Sequence, residues 1–127
     1  MIPYKDEPFY IDSAAVRYLA VKQNGASRAT VVSGTSDLVL GILQETVLAA
    51  DVTGGVGRRA VSVRTHGTSV AVAAAAITAG AELKVTATGK MTPVTTAGDL
   101  IAGRARTAAG ADGDWFEMDI YAGNKHA

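Results

Sequence analysis

A short segment that occurs twice constrains the fold of this chain more than any other sequence feature. Residues 37–42 read Asp-Leu-Val-Leu-Gly-Ile, and 62 positions later residues 99–104 read Asp-Leu-Ile-Ala-Gly-Arg. Each copy leads into a loop of small residues and then into an alternating strand, 60–65 after the first copy and 115–121 after the second. Such alternation is typical of half-buried strands. Two weakly similar strand–loop–strand units in 127 residues predict a compact β body.

The rest of the chain also reads as short strands divided by turns. Asn24-Gly25 lies between two β-rich runs, where it favours a hairpin because both residues tolerate a positive φ. Gly67-Thr68 predicts a turn that ends strand 60–66. About eight short strands, spaced roughly 8–12 residues apart and without a long helix, indicate an all-β fold. We expect a small single-domain sandwich or barrel.

Residues 1–12 differ in character from the remainder of the chain. They contain two prolines, four charges and three aromatic side chains, with neither helical nor strand periodicity. We interpret them as an extended N-terminal arm, mobile in the free protein, with residues 13–127 as a single β domain. Because that domain is rich in alanine, which buries little area, the large rings of the arm are candidate anchors on a partner. The candidate anchors are Tyr4, Phe9 and Tyr10; the alternative is that they cover the domain's own core.

The charge balance restricts the class of partner. Twelve basic and twelve acidic residues cancel, so the chain as a whole does not attract nucleic acid or an anionic membrane. Arg58 and Arg59 are candidate contacts for an acidic patch of a partner, with a solvated loop as the alternative. The longest apolar-rich stretch, 70–77, is too short to span a membrane, and the start lacks the apolar run of a signal peptide. We expect a soluble protein made in a cytoplasm.

The sequence contains no recognisable reaction centre. The two histidines, His66 and His126, stand apart, and no Gly-x-Ser-x-Gly segment accompanies them. The absence of cysteine excludes disulfides, thiol catalysis and zinc–thiolate sites. An acidic cluster near the C-terminus lacks EF-hand spacing, so we interpret it as the solvent side of a hairpin. Its members are Asp112, Asp114, Glu117 and Asp119. We predict no enzymatic activity, no metal and no cofactor.

Several short segments keep a common order and spacing along nearly the whole chain. They are the aromatic arm leading to Ala14-Ala15-Val16, then Val39-Leu40-Gly41-Ile42-Leu43, Val61-Ser62-Val63-Arg64 ending at Gly67, Ala76-Ile77-Thr78-Ala79-Gly80, and Gly103-Arg104-Ala105 followed by Ala108-Ala109 and Gly113-Asp114. In this arrangement the chain resembles the small capsid cement, or decoration, proteins of tailed bacteriophages. It departs from their pattern in the long 51–59 loop and in Arg104 and Arg106, where apolar or small residues are common in that family.

The resemblance implies a β-tulip or β-clip-like body that assembles as a homotrimer. It also implies binding to the major capsid protein on the outer surface of the virion head, at three-fold and quasi-three-fold positions. The role would be mechanical, because clamping neighbouring capsomers stabilises the head against the pressure of packaged DNA. The protein itself would contact no DNA.

Two other functions remain open from the sequence. One is a further structural role in a phage, as the base of a head fibre or as a tail component. The other belongs to a different class, a carbohydrate-binding β module whose ligand stacks on Trp115 or Tyr121.

Overall fold

The fold is built almost entirely from strands. The structure is a computed structural model that describes residues 4–54 and 57–125, with side chains considered as far as Tyr121. The described chain contains nine strands and one short helix. In order these are β1 Lys5–Ile11, β2 Ala20–Gly25, β3 Arg28–Val31, β4 Gly41–Leu43, α1 Ala49–Gly54, β5 Arg59–Val72, β6 Glu82–Val85, β7 Met91–Pro93, β8 Leu100–Ala105 and β9 Trp115–Lys125. The predicted all-β class is confirmed.

The first five strands close into a barrel. They are hydrogen-bonded in the order β1-β3-β2-β4-β5, and β1 pairs in turn with β5. That closing ladder is antiparallel and runs from Lys5 opposite His66 to Ile11 opposite Arg59. The interior is filled by small and medium apolar side chains, namely Ile11, Ala15, Val21, Ala29, Leu43, Val47, Val52, Val61 and Val63.

The second half of the chain repeats this arrangement. The C-terminal half of β5 pairs with β9, from Gly67 opposite Ile120 to Val72 opposite Trp115. The ladder continues through β8 and β6 to β7, and the isolated bridge between Ala73 and Met91 returns it to the end of β5. The molecule is therefore two five-stranded barrels in tandem, and the long strand β5 belongs to both.

The two barrels correspond residue by residue. Strand pairs, single bridges and ion pairs recur 62 positions apart: Val21–Val31 with Leu83–Pro93, the bridge Ala15–Val47 with Ile77–Ala109, and the ion pair Lys22–Asp37 with Lys84–Asp99, each 3.0 Å long. Beyond α1 the offset falls to 55, because Asp6 lies opposite Arg64 and its counterpart Thr68 lies opposite Asp119. The extra residues of the first copy are those around α1. The six-residue segment seen in the sequence is thus the visible part of a repeat that spans the chain.

The repeat is faint in the sequence because matched core positions hold side chains of different size. At several matched positions a large side chain in one barrel corresponds to a small side chain in the other. The matched pairs are Ile11 with Ala73, Ala15 with Ile77, Ala29 with Met91, Leu43 with Ala105 and Val61 with Phe116. Since a core requires total volume more strictly than the identity of each side chain, compensating exchanges preserve the barrel and remove the sequence similarity.

The barrels are joined by more than β5. Ala20 and Ile42, on the outer face of the first barrel, are fully buried in the core cluster of the second. The backbone N–H of Ala20 also donates to the carbonyl of Gly89, at 2.8 Å. The matching positions of the second barrel are Glu82 and Arg104, of which Arg104 is exposed. The apolar outer face thus exists only where one barrel packs on the other.

The predicted N-terminal arm needs correction. Its residues 5–11 are extended, as expected, but they form a barrel strand and are not separate from the β body. Pro8 hid the strand in the sequence. The N–H of Tyr10 donates to the carbonyl of Ser27, on the side of β1 that faces away from β5. Backbone alternation places the nitrogen of Pro8 on that same side. Because the pairing of β1 with β3 there is limited to Tyr10 and Arg28, Pro8 removes no ladder hydrogen bond.

Two further sequence expectations differ from the structure. The turn at Gly67-Thr68 is absent, because β5 continues through it with Gly67 in the left-handed region at φ 88°. The long loop after residue 48 begins instead with helix α1. The hairpin at Asn24-Gly25 is confirmed, with Ser27 completing its turn at φ 58°.

Residues 1–3, Gly55 and His126, which the sequence analysis considered, lie outside the described residues. Within the described residues, no helix is long and apolar enough to cross a membrane.

The glycine shared by both copies of the repeat should be irreplaceable in each. A Cβ on Gly41 would lie 2.2 Å from the carbonyl oxygen of Arg64, and one on Gly103 would lie 2.0 Å from that of Asp119. We expect Gly41→Ala and Gly103→Ala each to lower the free energy of unfolding by about 3 kcal/mol or more, because the neighbouring backbone must move. Gly54→Ala, where a Cβ meets open space, is the control. Urea titrations in which both variants are as stable as the wild type would contradict the close approach of the two glycines to the neighbouring carbonyls.

Deletion of residues 2–11 should unfold the first barrel. The deletion removes the strand that closes the barrel, including Ile11, whose side chain is only 1% exposed. The remaining core residues of the first barrel would then be open to solvent. We expect amide NMR resonances of residues 20–66 to lose their dispersion. Retention of a dispersed spectrum in that region would restore the idea of a separable arm.

The ion pair between Lys22 and Asp37 gives a pH-dependent test. The hydrogen bond from Lys22, followed by that from the N–H of Ser33, holds the pKa of Asp37 below its ordinary value of 3.8. Folding therefore favours the charged carboxylate, so its contribution is present above that value and is lost as the pH falls through the lowered pKa. Asp37→Asn should lower the melting temperature at pH 7, and the deficit should shrink below pH 3.8. A deficit that is constant over this range would contradict the assignment.

Candidate partner-binding surfaces

Strand β1 and the residue before it present two aromatic rings to solvent, and each ring is covered by an arginine. Tyr4 is 55% exposed and Tyr10 is 38% exposed. The guanidinium carbon of Arg58 lies 4.2 Å from the ring centroid of Tyr10, and that of Arg64 lies 3.8 Å from the centroid of Tyr4. Contacts of this kind at exposed sites contribute about 0.5–1 kcal/mol each. The outer face of β1 thus has an aromatic–arginine pair near each end.

The pair at Tyr4 is held in place by a carboxylate. Arg64 Nε donates to Asp6 Oδ1 at 2.8 Å and its Nη2 donates to Oδ2 at 3.3 Å, while Nη1 donates to the carbonyl of Thr68 at 3.1 Å. The planar guanidinium is therefore fixed over the ring by bonds on two sides. The arginine that covers Tyr4 is therefore itself held by hydrogen bonds to Asp6 and Thr68.

The structure separates the five residues singled out from the sequence. Tyr4, Tyr10 and Arg58 lie on the outer surface, and the last two are in contact. Phe9 is half-buried and packs against the core of the first barrel, which is the alternative that the sequence left open. Arg59 forms ion pairs with Asp51 at 3.0 Å and Glu45 at 3.8 Å, which tie α1 to β5.

A second aromatic surface lies where the two barrels meet. Tyr18, between β1 and β2, contacts Trp115, the first residue of β9, with ring centroids 4.9 Å apart and an interplanar angle of 84°. The guanidinium of Arg17 lies 5.1 Å from the Tyr18 centroid and 4.9 Å from that of Trp115. Trp115 is 54% exposed. We call Arg17, Tyr18 and Trp115 the junction platform.

The backbone of Tyr18 is strained. Its φ is 71°, in the left-handed region that side chains rarely adopt, and the matching residue of the second barrel is Gly80 at 89°. Both residues donate the same backbone hydrogen bond, Tyr18 to Leu43 and Gly80 to Ala105. The barrel therefore requires this conformation, and a tyrosine there costs about 1–3 kcal/mol compared with an unstrained residue. Tyr18 is half-buried and packs against the core cluster of the second barrel, so the strained backbone holds its ring at the junction of the two barrels.

Exposed apolar side chains continue the platform along the first barrel. Val16 precedes Arg17, and Leu48 follows the bridge that joins Ala15 to Val47, so both lie one residue from the same bridge. Each is more than half exposed. Apolar residues grouped at such a place are typical of an interaction surface.

The acidic residues near the C-terminus are engaged separately. Asp112 pairs with Lys90 at 3.0 Å, Asp114 accepts the N–H groups of Gly110 and Ala111, and Asp119 binds Arg106 and Thr68. Among the described residues, no three His, Asp or Glu side chains are grouped as a metal site would require. His66 is exposed, with Nδ1 3.1 Å from the hydroxyl of Thr65.

Sequence reasoning missed Arg17 and Tyr18. The available signal was positional: with the repeat aligned at an offset of 62, Tyr18 occupies the place of Gly80. A bulky residue at a glycine position of a duplicated unit marks the site where the two copies differ in role.

Comparison with known proteins finds similarity at the level of structure. No family model and no curated protein matches the chain. Among solved structures, the chain is similar to the N base of the head fiber gp8.5 in bacteriophage phi29, with a TM-score of 0.70 and 14% sequence identity. The similarity covers 94% of this chain and 95% of that one. The fold of the two barrels is thus shared over nearly the full length of both chains.

Proposed function

We propose that this chain is a structural protein of a tailed-phage head, bound to the outer surface of the capsid as a decoration, or cement, protein. The observation that carries the proposal is the full-length structural similarity to the base of a phage head fiber. The order of short segments along the sequence supports it independently, because it resembles the cement proteins. The function is mechanical and non-enzymatic, and it consists of clamping neighbouring major capsid proteins together.

The outer face of β1 is the proposed capsid contact. It carries Tyr4 and Tyr10 with their arginines, and Arg and Tyr are enriched in the energetically dominant parts of protein interfaces. Because these side chains are already held in place by their mutual contacts, binding would cost little side-chain entropy.

The junction platform is the proposed contact between copies in a homotrimer. It combines an exposed tryptophan, a strained tyrosine and an arginine with the neighbouring apolar Val16 and Leu48. This composition is that of an interface core, where aromatic residues and Arg are enriched and other charges are depleted.

Trimeric binding compensates for a weak individual contact. If one subunit bound the capsid with only ~mM affinity, or about −4 kcal/mol, linking three such contacts would raise the avidity by roughly 10²–10⁴ for each added site. The modest surface on β1 then suffices for stable attachment. A chain of zero net charge with aromatic anchors should also bind with little dependence on salt.

The second candidate is the base of a head fiber, which the structural similarity favours equally. Both functions place the protein on the head, but they differ in mechanical consequence. A cement protein raises the resistance of the head to rupture, whereas a fiber base need only remain attached.

Substitutions at the two surfaces should have separable effects. We expect Tyr10→Ala combined with Arg58→Ala to weaken binding to stripped heads by about 30-fold, the effect of losing about 2 kcal/mol, and to leave the oligomeric state unchanged. Trp115→Ala should instead shift the protein towards monomer in sedimentation velocity. Asp112→Asn, in an exposed surface ion pair, is the control for both assays.

Decorated and stripped heads should differ in DNA retention. We expect heads carrying the protein to withstand heating or chelation that bursts bare heads, with little elution of the protein in moderate salt. Equal DNA leakage from both particles with the protein still bound would reject cement in favour of a fiber base. No binding to heads, or subunits unrelated by a three-fold axis in a reconstruction, would contradict the proposal itself.

A further inference from the structure

One end of the first barrel is an open cleft of about 500 Å³. Four elements of the first barrel and strand β9 of the second contribute to its walls. The lining residues are Glu7, Gln23, Leu38, Val39, Leu40, Thr65, His66 and Tyr121. This volume lies within the range of small-molecule sites, roughly 300–1,000 Å³.

The same end of the second barrel is sealed. The residues that match Glu7, Gln23 and Thr65 are Ser69, Val85 and Ile120, and each of these three is at most 5% exposed. Leu40 is likewise matched by the buried Ala102. A barrel of this design therefore closes its end with small and apolar side chains. The first barrel departs from that design with a carboxylate, an amide and a hydroxyl around an opening.

The polar groups of the cleft retain hydrogen-bonding capacity. Gln23 uses only its Nε2, which donates to the carbonyl of Gly25 at 3.2 Å, and Glu7 is approached by Lys5 Nζ at 3.7 Å. His66 uses Nδ1, at 3.1 Å from Thr65 Oγ1. Within the described residues, the amide oxygen of Gln23 and Nε2 of His66 have no protein partner. The cleft thus offers both acceptors and donors.

The mixture of groups selects a class of ligand. A phosphate or carboxylate would be repelled by Glu7, and a lone ammonium would engage Glu7 but leave the amide and imidazole without partners. A hydroxyl both donates and accepts, so a molecule with several neighbouring hydroxyls satisfies all three groups. The ring of Tyr121 and the 61%-exposed Leu38 add apolar wall for the C–H face of such a molecule.

We propose that this cleft binds a neutral saccharide. The proposal does not depend on attachment to a phage head, since the cleft and the outer face of β1 use different side chains. It would give a protein bound through β1 a separate capacity to bind glycans. The aromatic residue that serves the sugar is Tyr121, and Trp115 takes no part.

Titration with sugars tests the site directly. Neutral mono- and disaccharides, including glucose, galactose, N-acetylglucosamine and maltose, would be added to the full-length ¹⁵N-labelled protein, with the lysine analogue Nα-acetyl-lysine methyl ester as a cationic probe. We expect at least one sugar to shift the amides of the lining residues with ~mM affinity, about −4 kcal/mol, and the lysine analogue to shift none. Tyr121→Ala and Gln23→Ala should each weaken sugar binding at least tenfold.

Matched variants separate loss of the site from loss of the fold. Tyr121→Phe keeps the ring and should retain binding, and Glu117→Gln, an exposed carboxylate of the second barrel, should leave binding unchanged. Failure of the whole sugar panel to shift the cleft, shifts confined to Trp115, or binding of the lysine analogue alone would each overturn the proposal. The last result would assign the cleft to a basic side chain of a protein partner. Head attachment, measured in the same variants, should be unaffected.

Discussion

The structure depends on the hydrogen bonding of one long strand, β5. Its first half closes the first barrel by pairing with β1, and its second half begins the second barrel by pairing with β9. A single continuous ladder thus fixes the relative position of two closed rings without a linker. Gly67, at φ 88°, is the point at which the strand passes from one ring to the other. A conventional turn at this place would have removed the ladder connection and left the packing around Ala20 and Ile42 to hold the two barrels together.

The two copies of the barrel kept their geometry and changed their surfaces. Inside, large and small side chains exchange places at matched positions, so that each core remains filled. Outside, the first copy has an apolar face where it packs on the second, and the second has Glu82 and Arg104 there. Tyr18 for Gly80 and Glu7 for Ser69 are differences of another kind, because the first adds strain and the second adds charge. The ring of Tyr18 packs on the core of the second barrel, whereas Glu7 belongs to neither core cluster and lines the cleft for which we propose a ligand.

The same division explains how much could be predicted from the sequence. The repeated Asp-Leu-x-x-Gly was recognisable because its aspartate and glycine serve local geometry: Asp37 and Asp99 pair with lysines, and Gly41 and Gly103 admit a close carbonyl. The rest of the repeat was not recognisable, because the volume of a core depends on many residues together and does not require a particular amino acid at any single position. The arm was misjudged because Pro8 and three charges obscured a strand whose partner residues in β5 lie 48 to 61 positions further along the chain.

The candidate surfaces were predictable only in part, for a similar reason. Tyr4, Tyr10 and Arg58 could be named as large or charged residues in unusual places, but their pairing required the register of β1 on β5. The junction platform joins residues 17–18 to residue 115, and only the closure of both barrels brings these positions together. Residues that meet only through closure of the barrels leave no mark in the composition.

The shared strand also imposes an order on synthesis. The first barrel lacks its closing partner until residue 66 has left the ribosome, whereas residues 67–72 emerge already continuous with a folded ladder. The nascent chain is then held extended at the place where β9, the last strand, must dock. The last strand to emerge therefore docks on a strand whose first half already belongs to a closed barrel, and the longest-range pairing of the second barrel has one formed partner before β9 is made. The strand shared by the two barrels thus affects the order in which they form as well as their final arrangement.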